Sequence, residues 1–103
     1  MTEIGSISPE FCAGKLKPLA DATRLAILEL LLGSPKHVSE MNAVLGLEQS
    51  LLSHHLKVLR EAGLVRSQRD GKAVLYTLAE GVRHTETGTA IDLGCCQLVI
   101  GNG

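Results

Sequence analysis

At 103 residues, 45% of them hydrophobic but with one Tyr, one Phe and no Trp, the chain is sized for one soluble domain whose thin aromatic complement favours a shared dimer interface. No apolar run nears the length of a membrane span, and Met1 to Pro9 has neither the basic start nor the apolar core of a secretion signal, so a cytoplasmic protein with no membrane partner is expected. A net charge of −1 excludes generic, charge-driven coating of nucleic acid, yet Leu51 to Lys72 holds five bases (Lys57, Arg60, Arg66, Arg69, Lys72) against two acids, a local basic surface in an otherwise acidic chain.

Ser8-Pro9-Glu10 reads as a helix start, with Ser as cap and Pro at the first helical position. The predicted segment, residues 8–20, runs through Phe11, Cys12, Leu16 and Leu19, with Gly14 and Pro18 weakening it. Asp21 is placed to cap a second helix, Ala22 to Leu32, so apolar that it must be central, and Gly33-Ser34-Pro35 ends it. Val38 is expected in a stub strand, and Ser39 as the cap of a short helix, Glu40 to Leu45, that turns Met41, Val44 and Leu45 inward and stops at Gly46. After the turn Gly46-Leu47-Glu48, the stretch Gln49 to Gly63 sorts at about 100° per residue into two arcs. Leu51, Leu52, His55, Leu56, Val58, Leu59 and Ala62 form the apolar arc, where His55 reads as a hydrogen-bonded core histidine. Gln49, Ser50, Ser53, His54, Lys57, Arg60 and Glu61 form the polar one.

The polar arc leads with short hydrogen-bonding side chains, of the kind that reach base edges and phosphates in a major groove. Leu64 to Leu78 then reads as two strands joined at Asp70-Gly71, with Arg66, Arg69 and Lys72 toward the tip. Residues 39–63 as a helix-turn-helix and 64–78 as a basic hairpin give the layout of a winged helix-turn-helix, a mainly α fold with a small β-hairpin. The expected DNA-contacting set is Gln49, Ser50, Ser53, His54, Lys57, Arg66, Arg69 and Lys72.

LADATRLAILELL, VSEMNAVLGLEQSLLSHHLKVLREAGLV and RSQRDGKAVLYTL, about Lys17 to Leu78, resemble the ArsR/SmtB family of bacterial metal- and metalloid-responsive repressors. The resemblance implies a homodimer that sits on operator DNA until an inducer binds, not an enzyme, and its base-reading positions fall on Gln49, Ser50, Ser53 and His54. Glu48 departs from the family pattern, which usually has Ser, Thr or Asp as the cap of that helix. The short helix holds no Cys, which disfavours the thiolate cluster that arsenite- and cadmium-sensing relatives place there. Glu80 to Ala90 is a poor helix, and His84, Glu86 and Asp92 lack the partners of the C-terminal site of zinc sensors.

The effector residues are therefore sought in residues 79–103, a dimerisation and sensor segment whose Asp92 to Ile100 reads as a strand with Cys95 and Cys96 side by side. Three cysteines in a chain without a secretion signal do not make a disulfide framework. Paired cysteines in an apolar strand are often only small hydrophobes, but Gly94 permits a bend that turns both the same way. Soft thiolates bind soft ions, so Cys95 and Cys96 are candidate ligands for As(III) or Sb(III), with Cys12 as third ligand from either subunit. Zn(II) fits less well, since it wants four ligands and only His84 is at hand; no permanently bound cofactor is expected. A strained Cys95–Cys96 disulfide acting as a redox switch is one alternative. A small thiol reductase is another, though the chain has no C-x-x-C motif.

Overall fold

The computed structural model describes residues 8–83 and 90–100. Ser8 accepts a hydrogen bond from the Phe11 amide at 3.1 Å and Pro9 occupies the first turn, opening helix α1, Pro9–Leu16. Regular α-helix stops at Leu16, short of the expected residue 20, and around Pro18 the chain tightens into a 3-10 turn, Lys17–Leu19. The Asp21 carboxylate caps α2, Ala22–Gly33, by accepting from the Arg24 amide at 3.0 Å. Ile27, Leu28 and Leu31 of α2 are fully buried, so the most apolar helix is the central one.

The next helix starts earlier than the sequence suggested. Lys36–His37 is the stub strand β1, and Val38 already belongs to α3, Val38–Leu45. His37, not Ser39, precedes the helix, and the Glu40 side chain reaches back to accept from the His37 amide at 2.7 Å. Gly46, at φ 64°, ends α3, and the Asn42 side-chain amide spans the turn by bonding both the amide and the carbonyl of Leu47. Helix α4, Gln49–Glu61, follows.

The wing consists of β2, Val65–Asp70, and β3, Ala73–Leu78, paired antiparallel from Val65↔Leu78 to Asp70↔Ala73. Its turn residues are thus Gly71-Lys72, one position beyond the expected Asp70-Gly71. Only Gly71 takes positive φ, 64°, as in turns with glycine at the first central position. β1 pairs with the other edge of β3, giving the order β1-β3-β2.

Asp92 to Ile100 is not a single strand. β4, Ala90–Asp92, and β5, Gln97–Val99, form a separate antiparallel hairpin with Cys95 and Cys96 in its connection. Gly94 at φ 87°, whose amide bonds the Asp92 carboxylate at 2.9 Å, folds the chain back. Ile91 and Leu93 from this hairpin join Ile27, Leu28, Met41, Leu52, Leu56 and Leu59 in one core. His84 and Glu86 lie outside the described residues. Among the described residues no helix is long and apolar enough to cross a membrane. Among those same residues, four α-helices with a three-stranded wing make this a winged helix-turn-helix.

Candidate nucleic-acid interface and thiol cluster

Helix α4 carries the two arcs much as its periodicity requires. Leu52, His55, Leu56 and Leu59 are buried, whereas Gln49, Ser50, Ser53, His54, Lys57, Arg60 and Glu61 are exposed. Leu51, expected inside, is 44% exposed, because it stands at the edge of the apolar arc. No side chain caps the helix, in keeping with Glu48 as a poor cap, and the Glu48 carbonyl takes the Leu51 and Leu52 amides. The Glu48 carboxylate instead accepts the Ser50 hydroxyl at 2.8 Å. Ser50 has thereby spent its one donor and meets a ligand as an acceptor.

At the far end of α4, Gly63 takes φ 77°, and the amides of Gly63 and Leu64 return to the carbonyls of Arg60 and Leu59, both at 3.0 Å. This Schellman closure aims the chain straight into β2. Arg66, Arg69 and Lys72 are exposed on the resulting wing. A cleft of about 830 Å³ lies between α4, the wing and the start of α3, lined by Gln49, Ser53, Lys57 and Arg60 from α4, by Lys72 and Tyr76 from the wing, and by His37, Ser39 and Asn42. Of the expected contact residues, Gln49, Ser53, Lys57 and Lys72 meet there, while Ser50, His54, Arg66 and Arg69 lie outside it.

The three cysteines converge from opposite ends of the sequence. Cys12 of α1 forms a disulfide with Cys95, with Cα atoms 5.7 Å apart. Cys96 is the free thiol, its Sγ 3.9 Å from that of Cys12 and 4.0 Å from that of Cys95. In place of the vicinal Cys95–Cys96 bond held as an alternative, the pairing runs across 83 residues, since the hairpin connection presents Cys95 to α1. Cys12 reaches the pair within one chain. Once reduced, the trio offers three sulfurs to a soft ion, all three Sγ atoms lying within 4.8 Å of one another.

The sequence profile described as "Bacterial regulatory protein, arsR family" matches residues 21–67, from the start of α2 into β2. The HTH-type transcriptional regulator YgaV of Escherichia coli is 40% identical over 81 residues, covering 76% of this chain and 82% of that protein. The chain belongs to the ArsR/SmtB family. A second relative in the family, the HTH-type transcriptional regulator NmtR of Mycobacterium tuberculosis, is 42% identical over 66 residues; the match takes in 64% of this chain and 55%, about half, of that protein's length. The crystal structure of M. tuberculosis Rv0081 superposes with a TM-score of 0.65 at 42% identity, covering 71% of this chain and 76% of that one. The relatives are transcriptional regulators, not enzymes, which leaves the thiol-reductase alternative without a counterpart among them. The ArsR profile takes in α2 to α4 and stops short of Cys12, Cys95 and Cys96 on both sides.

Two polar clusters, one at Arg24 and one at His37, hold α4 and the wing in place. Arg24 of α2 donates to the Pro18 carbonyl and, at 3.1 Å, to Nδ1 of His55, which is therefore the acceptor nitrogen of a buried ring; this is the core histidine expected from the apolar arc. The Arg24 amide also holds the Asp21 carboxyl below its ordinary pKa. At the wing tip, His37 sets Nε2 2.8 Å from Asp70 and Nδ1 2.9 Å from Glu40. Both contacts are hydrogen bonds only for the imidazolium, and the Asp70 bond, then the Glu40 bond, raise the His37 pKa. Sequence reasoning missed this bridge and also the hydrogen bond from Arg60 to the Tyr76 hydroxyl. The Glu40 spacing hinted at the first; only the outward arc pointed to the second.

Proposed function

We propose that the chain is a homodimeric, cytoplasmic transcriptional repressor, released from operator DNA when a thiol-binding inducer, As(III) or Sb(III), is captured by Cys12, Cys95 and Cys96. The observation that carries the DNA-binding half is the exposed polar arc of α4 standing beside a cationic hairpin while its leucine arc is buried. In this reading Gln49, Ser50, Ser53 and His54 meet base edges and Lys57, Arg66, Arg69 and Lys72 meet the backbone. Two copies place their helices in successive major grooves about 34 to 36 Å apart. Phe11 and Leu16 of α1 and Val99 of β5 are exposed apolar side chains on the segments joined by the cysteines, and they are the surface assigned to the second copy.

The inducer half rests on the three convergent sulfurs. When bound there, a soft ion ties α1 to the β4–β5 connection and reposes the dimer, with a coupling to DNA of about 1 to 3 kcal/mol, or 5- to 150-fold in affinity. Zn(II) is the weaker candidate, because three sulfurs leave its fourth position to be filled from elsewhere. The test uses an operator selected from a random duplex library: arsenite should release the reduced protein, and a Cys95→Ser, Cys96→Ser variant should bind but ignore arsenite. Release of that variant by arsenite would place the effector elsewhere.

The Cys12–Cys95 disulfide supports a second reading, a redox switch. Two thiols and one hydroperoxide give the disulfide, an alcohol or water, and water, with two electrons passing from sulfur to the peroxide. Peroxide should then change operator affinity with Cys12 linked to Cys95 by peptide mapping; an unchanged affinity in the linked protein rejects this reading.

A further inference from the structure

Gln49, Ser53, Lys57 and Arg60 lie within an arc of about 80° on α4, one residue per turn, and all four line the cleft facing the wing. The row changes character along its length, from amide and hydroxyl groups at the helix start to cations at its end. Across the cleft stand Lys72 at the wing tip and Tyr76 on β3. Arg60 Nη1 donates to the Tyr76 hydroxyl at 3.1 Å. Tyr76 is an unusually firm anchor, since it is 6% exposed and its strand is paired on both sides, to Lys36 and to Ser67. Among the described residues the Arg60 guanidinium has no carboxylate partner. One of its five N–H groups is used by Tyr76, and the side chain remains exposed.

We infer that Arg60 is a phosphate-contacting residue of the interface, held ready by Tyr76, and that the cleft between α4 and the wing receives one phosphate strand of the operator. The inference rests on the DNA-binding reading above and adds to it a residue and a place. A guanidinium fixed at one edge by a neutral hydroxyl keeps its full charge and loses less side-chain freedom on meeting a phosphate. A carboxylate in the same place would have neutralised it. Lys57 one turn before and Lys72 across the cleft supply further cations on either side of the same strand. Tyr76 acts through Arg60 and is a positioning residue.

The experiment is operator affinity against salt concentration for wild type, Arg60→Gln, Arg60→Lys, Tyr76→Phe and the Arg60→Gln, Tyr76→Phe double variant, with thermal melts showing that each is folded. Loss of one phosphate contact lowers the steepness of the log–log salt dependence by about 0.9. A fourfold rise in salt should then cost wild type about 3.5-fold more affinity than Arg60→Gln. Arg60→Lys should restore the wild-type slope, and base preference should not move in any variant. Tyr76→Phe should keep the slope and weaken binding roughly two- to tenfold, an effect absent once Arg60 is Gln. Equal slopes for wild type and Arg60→Gln, or a Tyr76→Phe loss of the same size in both backgrounds, would overturn the inference while leaving DNA binding intact. A wild type that binds no duplex in a salt-dependent way would overturn the DNA-binding reading itself.

Discussion

His37 shows how much a single side chain can tie together. Its ring joins the start of α3 to the end of β2, through residues 3 and 33 positions away. The folded-state pKa is raised above the ordinary histidine value, first by Asp70 and then by Glu40. The stabilisation is therefore fully present below about pH 6.5 and is lost as pH rises through the higher folded value. Glu40, held low by the His37 amide and ring, contributes in the opposite sense, above its unfolded pKa, and is lost as pH falls. Thermal melts from about pH 6 to 9 should show wild type losing its advantage over His37→Gln as pH increases; parallel curves would contradict the bridge. Asp21 is simpler. Asp21→Ala should cost about 1 kcal/mol by urea unfolding, with Asp21→Asn close to wild type, and a silent alanine variant would show that the cap does not hold α2.

Caps and periodicity are local, and at the scale of elements this decided what could be read from sequence. Ser8, Asp21 and Gly46 mark helix ends with side chains or φ angles that act within four residues, and each falls where the sequence placed it. The arcs of α4 were legible because burial follows a 100° repeat over 13 residues. The start of α3 was not, since histidine is not among the preferred caps and only Glu40 three residues on marked it. The C-terminal hairpin was read as one strand because an apolar run of strand length carries no mark of its fold; the Asp92-to-Gly94 turn bond was the available signal. Gly63 gives this scale its prediction. At φ 77°, with open space where a Cβ would stand, its requirement is purely conformational, so Gly63→Ala should cost roughly 1 to 2 kcal/mol in urea unfolding. An unchanged midpoint would mean that the closure of α4 into the wing tolerates another backbone.

For the molecule as a whole, the DNA-facing surface and the cysteines lie on different segments joined through one core. α1 and the β4–β5 hairpin are held together by sulfur, whereas α4 is held by leucines and by Arg24 on His55. Closing a loop of 83 residues restrains the unfolded chain, so reduction and alkylation should lower stability by up to about 4 kcal/mol; no loss would show that the bond adds nothing to the fold. The candidate DNA face was largely visible in the sequence, residue by residue. The thiol cluster was visible only as a list of cysteines, because a pairing between Cys12 and Cys95 belongs to the tertiary fold.

The most direct measurement is specific operator affinity for wild type and a Ser53→Ala, His54→Ala variant, both exposed on α4. Melting temperature should be unchanged and specific affinity should fall roughly 30-fold or more, at about 1 to 3 kcal/mol for each of two good base contacts. A variant that melts like wild type and binds the same operator equally well would contradict the DNA-binding reading.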